Sequence, residues 1–105
     1  MIVRKFIESP LRQGEDEKVA YALTTTPWGA SPTSVTVKIF SLNATTGAKT
    51  DVSSTKLSGV VAVVGNVITT PLVQSLIPGT HYRLEITFSS SGNTFEAWGI
   101  IEAEA

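Results

Sequence analysis

Apolar and polar residues alternate along most of this chain with a period of two, the signature of strands that bury one face. Ser34 to Phe40 shows it most cleanly, with Val35, Val37 and Ile39 on one side and Ser34, Thr36, Lys38 and Phe40 on the other. His81 to Ser89 sets Tyr82, Leu84, Ile86 and Phe88 inward against Arg83, Glu85 and Thr87, and Lys18 to Leu23 sets Val19, Tyr21 and Leu23 against Lys18, Ala20 and Ala22. No segment carries apolar residues at i, i+3, i+4 and i+7 over the dozen or so positions a helix needs. Ile2 to Ile7 reads as a first strand, broken at Ser9-Pro10-Leu11 because proline cannot donate to a ladder. Lys49 to Leu57 reads as a ragged edge strand. Val60 to Val64 and Val67 to Thr70 read as a hairpin about Gly65-Asn66, two residues that tolerate positive φ, and Thr94 to Glu104 as the last strand. Gln13 to Glu17, Thr26 to Pro32, Asn43 to Gly47 and Ser90 to Asn93 are the turns between them. About seven or eight short strands with turn signals every 8 to 12 residues predict an all-β, two-sheet sandwich, with a small β-barrel as the alternative.

Composition narrows this further. The 105 residues suit one domain, residues 1–105, with one core. Serine and threonine number 11 and 14, and valine and isoleucine 11 and 8, a bias toward pleated surfaces and turns. Eight Lys and Arg against nine Asp and Glu leave a net charge of −1, with no basic footprint for nucleic acid or an anionic membrane. Cysteine is absent, which excludes a disulfide framework, a thiolate metal site and a cysteine nucleophile. Arg4 and Lys5 are not followed by an apolar run of signal-peptide or membrane-span length, so the expectation is a complete cytosolically made product, or a piece that reaches its destination by assembly.

Candidate chemistry is sparse. His81 is the lone histidine, and no Gly-x-Ser-x-Gly elbow accompanies it, so a turn or surface position is expected rather than a triad or metal ligand. Glu15-Asp16-Glu17 lacks the spaced geometry of a calcium loop and reads as a solvated turn. Glu96, Glu102 and Glu104 alternate along the last strand as a solvent face, and Asn43-Ala44-Thr45 fits a glycosylation sequon without a secretory context. The expectation is therefore no enzyme, no catalytic or metal-binding residues and no cofactor.

The most specific stretch is Leu76-Ile77-Pro78-Gly79-Thr80-His81-Tyr82-Arg83-Leu84. Leu76 serves as a core plug, Pro78-Gly79 as a sharp turn, and Tyr82 opens an inward-facing strand. This arrangement resembles the tyrosine corner of Greek-key sandwiches, where a buried phenol bonds to backbone a few residues upstream. Two tryptophans complete the candidates. Trp28 sits in a Pro/Gly loop, either as a lid on the core or as an exposed anchor. That loop is expected to gather with Gly65-Asn66 and with Ser90 to Asn93 at one end of the sandwich. Trp98 and Ile100 make the last strand apolar on both faces, which implies cover by an N-terminal strand or a subunit contact.

Asp51 to Gly59, Gly65 to Val73, Leu76 to Phe88 and Gly92 to Ala97, with Gln13-Gly14-Glu15 ahead of the Tyr21 strand and Trp28 after it, resemble small immunoglobulin-like proteins of tailed-phage and prophage structural gene clusters. The resemblance implies an immunoglobulin- or fibronectin-III-like Greek-key sandwich. It also implies a non-enzymatic virion or assembly component whose partners are other virion proteins or further copies of itself, located in the virion or in the host cytoplasm during assembly. The alternative of a different class is a carbohydrate- or receptor-binding module that stacks a glycan on Trp28.

Overall fold

The computed structural model describes the backbone of residues 2–5 and 11–105 and the side chains from Leu11 onward. The expected break at Ser9-Pro10 and the end of the first strand lie outside the described residues. The longest alternating segments become the longest strands: β4 (Thr33–Leu42), β10 (His81–Ser90) and β11 (Asn93–Glu104). The shorter ones are β1 (Ile2–Lys5), β2 (Leu11–Gly14), β3 (Ala22–Thr24), β5 (Lys49–Asp51), β6 (Leu57–Ser58), β7 (Ala62–Val64), β8 (Val67–Thr69) and β9 (Leu72–Val73). One helical turn, α1 (Ser53–Lys56), follows β5.

Six strands form one sheet in the order β1-β11-β10-β4-β5, with β2 also pairing β11. The β10–β11 hairpin runs from Ser90↔Asn93 to His81↔Glu102, and β4 lies antiparallel on the other side of β10. Both β1 and β2 run parallel to β11, at Ile2↔Phe95 and Ile101↔Leu11 respectively. The facing strands are β3-β8-β7 and the pair β6-β9, continued by an isolated bridge from Val19 to Val73. Among the described residues no ladder joins the two groups, so the layers are stacked and not closed on each other.

The core fills the space between them. Ile39, Leu84, Tyr82 and Ile101 of the large sheet meet Val73 and Leu76, while Ile86, Phe88 and Phe95 meet Ile68. Each of these is 5% exposed or less, and burying a side chain of this size is worth roughly 1.5–3 kcal/mol. The inward residues predicted for β10 are all in this set. The outward ones are not uniformly wet, since Glu85 is only 7% exposed.

Three local expectations are corrected. Lys49 to Leu57 is not one strand. The Asp51 carboxylate accepts from the Ser53 N–H at 2.9 Å, which starts a helical turn. The Ser53 hydroxyl then accepts from the Ile39 N–H at 3.0 Å, replacing a ladder partner on β4. Gln13 is not an exposed turn residue: it is a strand residue, 1% exposed, bonded to Glu17 and Tyr21 nearby and to Val73 sixty positions away. Lys18 to Leu23 is not one strand either: Val19 makes only an isolated bridge to Val73, and β3 begins at Ala22. The expected Gly65-Asn66 hairpin closes at Val64↔Val67, with Gly65 at positive φ. A further irregularity is invisible in the alternation. Thr36 pairs Thr87 whereas Thr33 pairs Ser89, and the extra residue is accommodated by Ser34 at φ 52°.

Candidate functional site

Ile77-Pro78-Gly79-Thr80 is a tight turn closed by Thr80 N–H donating to the Ile77 carbonyl at 3.2 Å, with Gly79 at φ 81°. A positive φ at the third turn position is why glycine follows proline here. The turn aims Tyr82 into the core, where the ring is 1% exposed and the hydroxyl accepts from the Ile77 N–H at 2.9 Å. Leu76 is buried beside it, and Pro78 and Gly79 are exposed. His81 is exposed at the start of β10. Leu76, Pro78, Gly79 and Tyr82 thus meet at this one turn, with the phenol bonded back to its first residue.

The three loops expected at one end are stitched together there. Asn66 is the stitch: its carbonyl accepts from Thr25 N–H at 2.8 Å, and its side-chain oxygen accepts from Ser31 N–H at 2.9 Å. On the far side the Ser90 hydroxyl donates to the Ala30 carbonyl at 2.6 Å. Trp28, held between these ties, stacks on Phe88 with centroids 5.9 Å apart, and Phe88 stacks on Phe95 at 5.4 Å. The indole is half-buried, stacked as a lid on the aromatic end of the core.

The outer face of the six-stranded sheet is charged and interlocked. Glu85 accepts from Lys49 Nζ and from Arg83 Nε, each at 2.7 Å, and Arg83 reaches Glu96 at 3.6 Å. The Arg83 guanidinium also lies 4.2 Å from the centre of the Trp98 ring, and Lys49 lies 4.4 Å from that of Phe40. Arg12 bridges Glu102 and Glu104 at 3.5 Å. The three alternating glutamates thus carry ion pairs. Trp98 and Ile100 are half-buried among them, and neither they nor Trp28 lack a partner. A docking surface centred on Trp98 would have to displace Arg83. Sequence reasoning missed this network, whose only signal was the outward period-two spacing of Arg83 and Glu85.

At the near end of the sandwich a second polar cluster ties β2 to the smaller sheets. Tyr21 Oη donates to Gln13 Oε1 at 2.8 Å, and Gln13 Nε2 donates to the Val73 carbonyl at 2.7 Å and to the Glu17 carbonyl at 3.0 Å. Burial, and then the nearby Glu17 carboxylate, push the Tyr21 hydroxyl up to about 12. Glu15, Asp16 and Glu17 are exposed, and among the described residues no three His, Asp or Glu gather as metal ligands.

The smaller sheets are the opposite of the large one. All 17 charged residues lie outside 19–37 and 57–82, so β3, β6, β7, β8 and β9 carry none. Their outer side nevertheless shows large apolar groups to solvent: Val60 is 85% exposed, Val64 77% and Leu72 41%. This uncharged, valine-rich face is the strongest candidate for a contact surface. The sequence displays the run of valines, but only the layer arrangement shows which of them are left outside. The chain matches no protein-family model and no curated protein. No helix among the described residues is long and apolar enough to cross a membrane.

Proposed function

We propose that this chain is an immunoglobulin-like module that works as a structural or assembly component of a phage particle, through protein–protein contacts and without catalysis. The order β11-β10-β4-β5 facing β3-β8-β7, with a buried phenol bonded back to the turn before β10, supports the immunoglobulin-like topology. The observation that carries the functional reading is the contrast between the two outer faces. One is locked in ion pairs around Glu85, and the other exposes valines with no charge on any of its strands. Exposed apolar surface of this kind marks interaction sites.

Mass spectrometry of particles and assembly intermediates purified from the producing host tests the assignment. The chain is expected at a constant ratio to the major shell protein across successive gradient fractions. A chain that stays at the top of the gradient at every stage of assembly overturns it.

A further inference from the structure

The exposed edge of the smaller sheet has a symmetry in its sequence. Gly59-Val60-Val61-Ala62-Val63-Val64-Gly65 reads the same in both directions about Ala62. The segment is also the sheet's edge: among the described residues β7 pairs with β8 alone. Natural edges are usually blunted by charge, proline or a bulge. The far edge of the large sheet follows that rule, because β5 carries Lys49 and Asp51. The β7 edge does not, with Val60, Val63 and Val64 at 85%, 40% and 77% exposure and neither a charge nor a proline from Val60 to Val64.

We infer that β7 is a self-pairing edge, and that its partner is β7 of a second copy, antiparallel about a two-fold axis at Ala62. The palindrome selects this occupant. A two-fold antiparallel pair places each residue opposite its mirror position, so Val60 meets Val64 of the second copy, Val61 meets Val63, and Ala62 meets Ala62. A second copy supplies a strand that matches position for position across the axis, which is the self-complementarity an isologous contact requires.

The backbone agrees with this register. In a two-residue hairpin the pair flanking the loop, here Val64↔Val67, exchanges both ladder bonds. Alternation then turns the N–H and C=O of Val63 toward the open edge, and extending β7 by one residue on pairing does the same for Val61. In the two-fold pair these residues bond each other across the axis. Val60, Ala62 and Val64 fall in the closely spaced, non-bonded pairs, where cross-strand side chains pack best. The most exposed valines among the described residues are covered by one another, and β3-β8-β7 continues into its copy as one sheet. No charge on either copy's smaller sheet opposes the approach.

The inference rests on the reading that the chain works through protein contacts, and it names the partner. One short strand pair buries less than the roughly 1,200 Å² of a stable complex, so the dimer is weak in dilute solution and is strengthened where copies are held close together. Sedimentation equilibrium of the full chain from about 10 µM to about 1 mM, the range such a contact requires, reads it directly. The parent is expected to move from monomer to dimer across that range. Ala62→Lys and Ala62→Glu each set like charges opposite one another on the axis and are expected to raise the dissociation constant at least about tenfold. An equimolar mixture of the two restores a mixed dimer. Ala62 is exposed, so both variants keep the parent's circular dichroism and melting temperature. Thr24→Lys, on the opposite edge of the same sheet, leaves the dimer unchanged.

A parent that stays monomeric to 1 mM overturns the self-pairing, while the particle measurement still decides the contact reading separately. A dimer insensitive to Ala62→Lys, or one abolished by Thr24→Lys instead, overturns the assigned edge.

Discussion

Tyr82→Phe isolates one atom. The phenylalanine ring keeps the shape of a side chain that is 1% exposed, so the packing against Leu76, Leu84 and Ile101 is preserved and only the hydroxyl is lost. That hydroxyl accepts the Ile77 N–H at 2.9 Å, and its removal leaves a backbone donor without a protein partner. Stranding such a donor costs about 1–3 kcal/mol when water is excluded. Ile77 itself is 58% exposed, so water reaches its side of the bond and the lower part of that range applies, about 1–2 kcal/mol. With a urea slope of about 1.5 kcal/mol/M, the midpoint should fall by about 0.7–1.3 M at unchanged slope. Tyr82→Ala, which also removes the ring, should cost about 3–5 kcal/mol. The assay is equilibrium urea unfolding followed by tryptophan fluorescence. A Tyr82→Phe midpoint equal to the parent's would show that the hydroxyl contributes nothing net and would refute the account of the corner.

Two further substitutions probe the loop end and the Gln13 cluster. A Cβ built at Gly29 would lie 2.5 Å from Ser90 Oγ and 2.7 Å from Ser90 Cβ, so Gly29→Ala must displace Ser90 and break its bond to Ala30. We expect a loss of about 1–3 kcal/mol in thermal melting, substantially smaller when Gly29→Ala is made together with Ser90→Gly, and an equal loss in both backgrounds would show that Ser90 is not the obstacle. Tyr21 holds its proton up to about 12 in the fold against an ordinary 10.0, so its contribution is complete below pH 10 and is lost as pH rises toward 12. Urea unfolding at pH 9 and pH 11 should therefore show a steeper decline for the parent than for Tyr21→Phe, and parallel declines would contradict the burial of the phenol.

Much of the fold was legible because it is local. Each strand that buries one face writes its own alternation, and β4, β10 and β11 follow theirs almost residue for residue. Pro78-Gly79 announces its turn because only that pair combines a fixed negative φ with a free positive one. The clustering of the three end loops is also readable, although the ties that make it are not: Asn66 reads as a turn former and not as a hydrogen-bond partner, and Ser90 gives no sign of its bond to Ala30. Between Lys49 and Leu57 the pattern failed, because Asp51 and Ser53 satisfy the backbone with side chains and so remove the need for a ladder.

By itself, then, the sequence determined the three long strands, the turn before Tyr82, the charge-free stretches 19–37 and 57–82, and the palindrome around Ala62. Only the tertiary structure decided which polar groups went inside and which apolar ones stayed out. Gln13 is buried because the Val73 carbonyl, 60 positions away, receives its amide. Glu85 is buried because Lys49 and Arg83 converge on it from β5 and β10. Val60 and Val64 remain exposed because β7 falls at the margin of its sheet. Alternation specifies two faces for every strand, but whether a face or an edge is covered depends on what the rest of the chain brings beside it.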